Sequence, residues 1–299
     1  FVHQLSPITI TIPGIIIKKI KRIPLIMWVT DLWPESVKDG ANLKSNFLPN
    51  MLLPIVKYIY KNCSEILVSS RSFIDSVAEK TNNKTITYMP QWSEEIFTKN
   101  NKRNFIYEPM EKIEGFKILF AGNIGVAQDF DSIINAMNKI KHYNIHLVVL
   151  GEGRAKKDAL KKVKEYNLAN SISFLGSFPL ETMPYFFSKS DALLISLKKS
   201  SIFSRTIPGK TQPYMSSGKP ILTNADGEVS QIINEAECGF TANSGDYKTL
   251  SENMVKLSKL SQAELEIMMK NSKKYYKQNF NREDILNSLE QRFIKLFTK

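Results

Sequence analysis

Phe116-Lys117-Ile118-Leu119-Phe120-Ala121-Gly122-Asn123-Ile124-Gly125 holds the pattern that decides the fold. A short, nearly continuous apolar run closes on a glycine, as a strand buried on both faces does. Beyond it, Phe130, Ile133, Ile134, Met137 and Ile140 recur at helical spacing. The next apolar run, 145–150, ends on Gly151-Glu152-Gly153, and a Lys-rich helix is predicted over 154–166. Further short strands are predicted at 172–175, 192–196 and 220–223, each followed by a helical or turn segment. This alternation predicts a parallel sheet flanked by helices, the doubly wound α/β architecture. Ligands in such sheets bind at the carboxyl ends of the strands, where the glycines fall here.

Upstream the pattern is sparser. Strands are predicted at 25–30, 66–68 and 85–89, with helices at 72–80 and across Leu48, Met51, Leu52, Ile55, Val56 and Ile59. Three strands are few for a doubly wound domain, which usually has five or more. Ile8, Ile10 and Ile12 alternate with Thr9 and Thr11, a local strand pattern. Residues 98–115 are polar and irregular and read as a linker. A long amphipathic helix is predicted over 274–299, with Leu286, Leu289, Phe293 and Leu296 on one face.

The chain has 299 residues, 42% of them hydrophobic, enough for about two domains with real cores. Its apolar runs fall short of the roughly 18 residues that span a bilayer. It begins at Phe1 rather than Met, and an upstream piece is expected. With 41 Lys+Arg against 29 Asp+Glu the net charge is +12. That charge suits nucleic acid, an anionic membrane surface or phosphorylated small molecules, and equally an ordinary solvated basic surface. Lys18, Lys19, Lys21 and Arg22 follow Ile15-Ile16-Ile17 directly. Such a segment sits at the headgroup level of a membrane or is a buried segment with a wet end. No zinc-finger spacing or RNA-binding aromatic motif is present, so nucleic acid is not an expected partner. Cys63 and Cys238 are not paired by any spacing and fit a reducing compartment. Three histidines are too few and too scattered for a metal cluster, and no metal is expected.

Chemistry concentrates in Arg205-Thr206-Ile207-Pro208-Gly209-Lys210-Thr211-Gln212-Pro213-Tyr214-Met215-Ser216-Ser217-Gly218-Lys219-Pro220. The stretch reads as a loop, a short helix from about Lys210, a glycine stop at Gly218, and a strand. Gly209, Lys210 and Arg205 beside a helix start make an anion site; a favourable helix start with an exposed Lys fits the same residues. Gly122-Asn123-Ile124-Gly125 and Gly151-Glu152-Gly153 let backbone approach a ligand or simply turn the chain. Asp31 closes the strand 25–30 and either faces a cleft or caps the next helix, while Trp33 stacks on a ligand or fills a core. Asp226-Gly227-Glu228 reads as acids favouring a helix start.

His3-Gln4-Leu5-Ser6-Pro7, Trp28-Val29-Thr30-Asp31-Leu32-Trp33-Pro34-Glu35-Ser36, Phe120 to Gly125, Phe174-Leu175-Gly176 and Ile207 to Met215 together resemble glycosyltransferase family 4, of GT-B fold. The branch they resemble is that of bacterial O-antigen and capsule enzymes similar to N-acetyl-L-fucosamine transferases. The likeness runs over nearly the whole chain. It implies two Rossmann-like domains, the first incomplete here and truncated at its N-terminus, with an active site in the cleft between them. The implied boundaries are 1–105 for a partial acceptor-binding domain, 106–275 for a nucleotide-sugar domain, and 276–299 for a helix crossing back to the first. Over 8–20 the resemblance implies a helix, against the local strand pattern.

Carried over by position, the resemblance sets Asn123, Gly125 and Gln128 beside a donor diphosphate. Gly176, Ser177 and Phe178 would hold the nucleobase through their backbone. The stretch 205–210, with Arg205, Thr206, Gly209 and Lys210, would bind phosphates and sugar, with Gln212 beside it; Trp33 and Glu35 would meet the acceptor. The family's paired glutamates, eight positions apart, are replaced by Arg205 and Pro213, so Lys210 and Arg205 become the candidates for leaving-group charge. Asp31 would orient the acceptor hydroxyl or assist proton transfer. The implied activity is retaining transfer from a UDP-sugar, the donor substrate rather than a cofactor, to a lipid-diphosphate-linked acceptor. The implied place is the cytoplasmic face of the plasma membrane, as a peripheral protein. The alternative is a non-catalytic GT-B subunit that binds a nucleotide sugar or scaffolds a partner transferase.

Overall fold

The computed structural model describes residues 1–40, 47–81, 85–98 and 105–298, with side chains left aside at 38–40. Two compact units divide the chain. The first comprises 1–91, 200–207 and 282–299; the second comprises 92–199 and 208–281. By internal contacts the chain passes between the units at 91/92, 199/200, 207/208 and 281/282.

The first unit is a four-stranded parallel sheet in the order β1-β2-β3-β4. Its strands are β1 (Val2–Gln4), β2 (Ile26–Val29), β3 (Glu65–Val68) and β4 (Ile86–Tyr88). Between them run α1 (Ile12–Lys21), α2 (Glu35–Gly40), α3 (Phe47–Asn62) and α4 (Phe73–Ala78). The Ile/Thr alternation at 8–12 is not a strand. Ile8 and Thr11 are the buried positions there, a spacing of three, and the segment is a 3-10 turn running into α1 with Pro13 in its first turn. Proline is tolerated there because its missing N–H has no helical acceptor. Met27, Val29, Ile66 and Val68 alternate along β2 and β3 into a core that also takes Val56 and Ile59 of α3, Phe73 of α4, and Ile202.

The second unit opens with α5 (Glu95–Thr98) and α6 (Glu108–Glu111). The expected linker therefore carries one helical turn, and its residues 99–104 lie outside the described residues. The sheet has six parallel strands in the order β10-β9-β8-β5-β6-β7. They are β5 (Phe116–Ala121), β6 (Ile145–Leu150), β7 (Ile172–Gly176), β8 (Ala192–Ser196), β9 (Ile221–Asn224) and β10 (Gly239–Ala242). The intervening helices are α7 (Phe130–Lys139), α8 (Lys156–Glu165), α9 (Met183–Ser188), α10 (Thr211–Ser217) and α11 (Glu228–Glu235), followed by α12 (Tyr247–Ser258) and α13 (Gln262–Asn279). Strand order reverses where β5 meets β8, the doubly wound switch point. The predicted helix face Phe130, Ile133, Ile134 and Met137 packs on Ile118, Phe120, Leu147 and Val149. The expected single tail helix is two: Phe280, fully buried and out of helical geometry, ends α13, and α14 (Arg282–Phe297) follows. This last helix belongs to the first unit, where Arg292 pairs with Glu65 of β3 and the Phe293 ring meets Phe1 at 5.9 Å.

Candidate functional site

The carboxyl ends of β5, β6 and β7 open onto a cavity of about 570 Å³ in the second unit. Gly122 and Asn123 line it from the end of β5, Gly151 and Glu152 from β6, and Ser177 and Phe178 from just past β7. Gly209, Lys210, Pro213 and Tyr214 close it from the start of α10. The glycines are required by geometry. A Cβ on Gly151 would lie 1.9 Å from the Gly122 carbonyl oxygen, and one on Gly122 would stand 3.1 Å from Lys210 Nζ; both have φ near +137°. Only glycine lets β5 and β6 end this close together and still leave room for the amine.

Lys210 dominates the electrostatics. Its stem is partly exposed, but Nζ is buried, has no hydrogen-bond partner among the described residues, and sits 3.6 Å from the centroid of the Phe120 ring. Burial pulls its pKa down from 10.5 to about 7, because a charged amine there has lost its water. Two neighbours at the start of α10 repeat the pattern: Thr211 Oγ1 and Gln212 Oε1 are buried and unpartnered. Buried polar atoms are nearly always bonded, and of these three only Lys210 lines the cavity, where an external polar group would meet its amine. The carboxylates lining the cavity are Glu94 and Glu152, and Lys156 Nζ donates to Glu152 Oε1 at 2.6 Å.

One wall is aromatic. Phe97 stacks on Phe187 at 5.3 Å, and Phe187 meets Tyr214 edge-on at 5.3 Å. The Tyr214 hydroxyl accepts from the Ala121 N–H at 2.9 Å and lies 3.3 Å from the Ala121 carbonyl, pinning the end of β5 to α10.

Of the residues singled out in the sequence, Asn123, Ser177, Phe178, Gly209 and Lys210 come together on this cavity. Gly125 and Gln128 are next to it in the chain but are engaged with each other, the Gly125 N–H donating to Gln128 Oε1 at 3.1 Å. Gly176 sits at the end of β7 with φ +83°. Gln212 is buried behind Lys210 in sequence rather than exposed on the wall. Arg205 and Thr206 belong to the first unit. There the Arg205 carbonyl accepts from Ser70 Oγ, and Thr206 Oγ1 donates to the Ile202 carbonyl at 2.9 Å. Glu94, Phe97, Met183 and Phe187 line the cavity without having been singled out. The sequence signal at Phe187 is the aromatic run Tyr185-Phe186-Phe187.

Asp31, Trp33 and Glu35 cluster in the first unit past β2. Asp31 Oδ2 accepts from Trp33 Nε1 at 3.0 Å and from Ser36 Oγ at 3.2 Å. Glu35 Oε1 accepts from Ser76 Oγ at 2.9 Å and from Lys80 Nζ, while its Oε2 is buried and unpartnered. The Tyr60 hydroxyl is also buried and unpartnered, and burial with the charges of Glu35 and Asp31 pushes its pKa far up. At Asp226-Gly227-Glu228, Glu228 opens α11, and Asp226 Oδ1 accepts from the Ser244 N–H. Cys63 and Cys238 are buried, and burial pushes both thiols up to about 12.

Comparison with known proteins places these features in a family. The model of the family described as glycosyl transferases group 1 matches residues 102–275. A probable glycosyltransferase, WbjE of Pseudomonas aeruginosa, is 25% identical over 248 residues, covering 80% of this chain and 61% of that protein. An uncharacterized glycosyltransferase of Methanocaldococcus jannaschii, MJ1059, is 25% identical over 193 residues, covering 60% of this chain and 44% of that one. The chain thus spans about three-fifths or less of these relatives. Among solved structures, Anabaena Alr3699/HepE in complex with UDP and glucose superposes with a TM-score of 0.73 at 14% identity, covering 94% of this chain and 74% of that one. WaaG, a glycosyltransferase involved in lipopolysaccharide biosynthesis, gives 0.62 at 14% identity, covering 85% and 71%. The parallel α/β fold of both units is that of the GT-B glycosyltransferases.

Proposed function

Because this chain belongs to the group 1 glycosyl transferases, we propose that it transfers a sugar from a UDP-sugar to a lipid-diphosphate-linked acceptor in bacterial surface polysaccharide synthesis. The observation that carries the reading is the Lys210 amine, buried without a partner on a cavity at the switch-point end of the second sheet. A donor diphosphate there would give the amine its missing acceptors and hold it as ammonium. Asn123 and the glycine-bounded turns would approach the same diphosphate, and the backbone at 176–178 would read the base. HepE was solved with UDP, and WaaG takes part in lipopolysaccharide biosynthesis; both facts support the donor and acceptor classes by likeness.

In the proposed step the bond between the anomeric carbon and the UDP phosphate oxygen breaks. A bond to the acceptor oxygen forms on the same face, so configuration is retained, and the acceptor proton passes to the departing phosphate oxygen. Lys210 stabilises the charge that develops on the diphosphate, with Arg205 as its proposed partner. Asp31 orients the acceptor hydroxyl, beside Trp33 and Glu35. The protein works at the inner face of the plasma membrane as a peripheral enzyme.

A second reading, nucleotide-sugar binding without transfer, is favoured by one feature: Pro213 lines the cavity where the resemblance places a glutamate. One experiment separates the two. UDP is titrated calorimetrically into wild type and Lys210→Met, and label from a UDP-sugar is then followed into a membrane lipid extract. Lys210-dependent binding with transfer is expected. Lys210-dependent binding with no transfer selects the second reading, and UDP binding indifferent to Lys210 overturns both.

A further inference from the structure

Two carboxylates line the cavity of the second unit, and their situations differ. Glu152 is engaged, its Oε1 accepting from Lys156 Nζ at 2.6 Å. Glu94 is exposed, and its carboxylate has no hydrogen-bond or ion-pair partner among the described residues. The Lys210 amine lines the same cavity and is also without a partner, so two opposite charges share one space without neutralising each other. A direct pair would satisfy both. Held apart, they leave room for a ligand that offers acceptors at one point and donors at another.

Glu94 is fixed in place. It directly precedes α5, and the residue before it, Ser93, is buried with its Oγ 3.3 Å from Ser216 Oγ of α10. Ser216 Oγ in turn donates to the Pro213 carbonyl at 2.9 Å. One helical turn past Glu94, Phe97 stacks on Phe187 at 5.3 Å. The segment is thereby held against α9 and α10, near Pro213, whose side chain can neither donate nor accept.

The order of groups around the wall says what Glu94 meets. Phe178, at the end assigned to the base, has its ring 4.6 Å from that of Phe186 in α9. The next residue, Phe187, carries the wall on to Phe97 and so to Glu94. On its other side the Glu94 segment adjoins α10, which Lys210 opens. Glu94 thus falls between the place assigned to the base and the amine assigned to the diphosphate. In a nucleoside diphosphate the ribose lies there, and its vicinal 2′- and 3′-hydroxyls are two donors matched to the two oxygens of one carboxylate. A phosphate is the wrong partner, since it brings negative charge and no hydrogen.

We propose that Glu94 is a specificity-determining residue that accepts from the ribose hydroxyls of the donor nucleotide, so that the cavity selects ribonucleotides over deoxyribonucleotides. A site built to bond a substrate hydroxyl rejects the analogue that lacks it, because the acceptor is then left unpaired. This role rests on the UDP-sugar reading of the cavity, which supplies the ligand.

UDP and 2′-deoxy-UDP are titrated calorimetrically into the whole chain as wild type, Glu94→Ala and Glu94→Gln. Wild type should bind UDP at least about tenfold more tightly than the deoxy analogue, the scale of one hydrogen bond to a charged group. Glu94→Ala should weaken UDP at least about tenfold and bring the two affinities together. Glu94→Gln, whose amide oxygen still accepts, should keep part of the preference. The side chain is exposed and unpartnered, so both variants should keep the wild-type melting curve. No preference in wild type, an equal preference in wild type and Glu94→Ala, or a preference abolished by Glu152→Gln and not by Glu94→Ala overturns the inference. In each of those cases UDP binding that still depends on Lys210 leaves the donor reading standing. UDP that fails to bind wild type at all overturns the donor reading itself, and the ribose contact with it.

Discussion

Replacing Lys210 with methionine removes the amine that sits over the Phe120 ring and keeps most of the apolar stem. Depression of the amine from 10.5 to about 7 corresponds to about 5 kcal/mol against charging it in the empty cavity. The sign follows from proton counts. Between pH 7 and 10.5 the unfolded chain holds a proton on this lysine that the folded chain does not, so folding stability rises with pH across that window. Below pH 7 the penalty is present in full. Lys210→Met should therefore melt higher than wild type at pH 6, by at least about 4 °C for a unit of this size, and the gap should close toward pH 10. The same amine gives a binding signature. At pH 8 it is about nine-tenths neutral in the empty cavity, so capture of a diphosphate that recharges it draws about 0.9 proton from solution. Calorimetry of UDP binding in buffers of different ionisation enthalpy reads that uptake directly. The part of the uptake due to Lys210, read as the difference between wild type and Lys210→Met, should shrink to about 0.1 proton at pH 6. A melting gap that is constant with pH, or UDP binding at pH 8 without proton uptake, would refute the reasoning.

Three further predictions concern packing. Gly151→Ala drives a Cβ to within 1.9 Å of the Gly122 carbonyl and should destabilise more than Gly122→Ala, whose Cβ meets only the flexible end of Lys210 at 3.1 Å; thermal melts rank them, and equal melting points count against the close approach of β5 and β6. Tyr214→Phe leaves the half-buried Ala121 N–H without its acceptor and should cost about 1 kcal/mol in urea unfolding. Arg292→Ala strands Glu65, whose side chain is only 6% exposed, and should cost about 3 kcal/mol, recovered in part by adding Glu65→Gln; no recovery in the double variant would argue against the pair.

The second unit is the more legible in sequence. Its strands β5, β6 and β8 are nearly continuous apolar runs, interrupted at Lys117 and His146, and Gly218 ends α10 in the left-handed region as a stop glycine does. Strand β10 carries no such signal because Gly239 and Thr241 break the apolar pattern; Gly239 is required there, since a Cβ would sit 1.7 Å from the Ile221 carbonyl. Strand β1 has three residues, too short for any periodicity. The cavity is half legible. Lys210 and the glycine turns carry local signals, whereas Phe97 and Phe187 reach the wall through packing between segments about ninety residues apart in sequence. Arg205 shows the same limit in reverse: it is five residues from Lys210 in sequence and yet built into the other unit.

During synthesis helix α14 leaves the ribosome after the other described elements of both units, and it belongs to the unit that strands β1 to β4 build. Strands β1 to β4 emerge early, but Glu65 acquires its arginine, and Phe1 its aromatic neighbour Phe293, only when residues 282–299 arrive. The second unit meanwhile has all of its sequence by residue 281. During synthesis the order of completion is thus the reverse of the order of appearance, and a chain stopped at residue 281 would carry a finished second unit and a first unit whose buried carboxylate lacks its arginine.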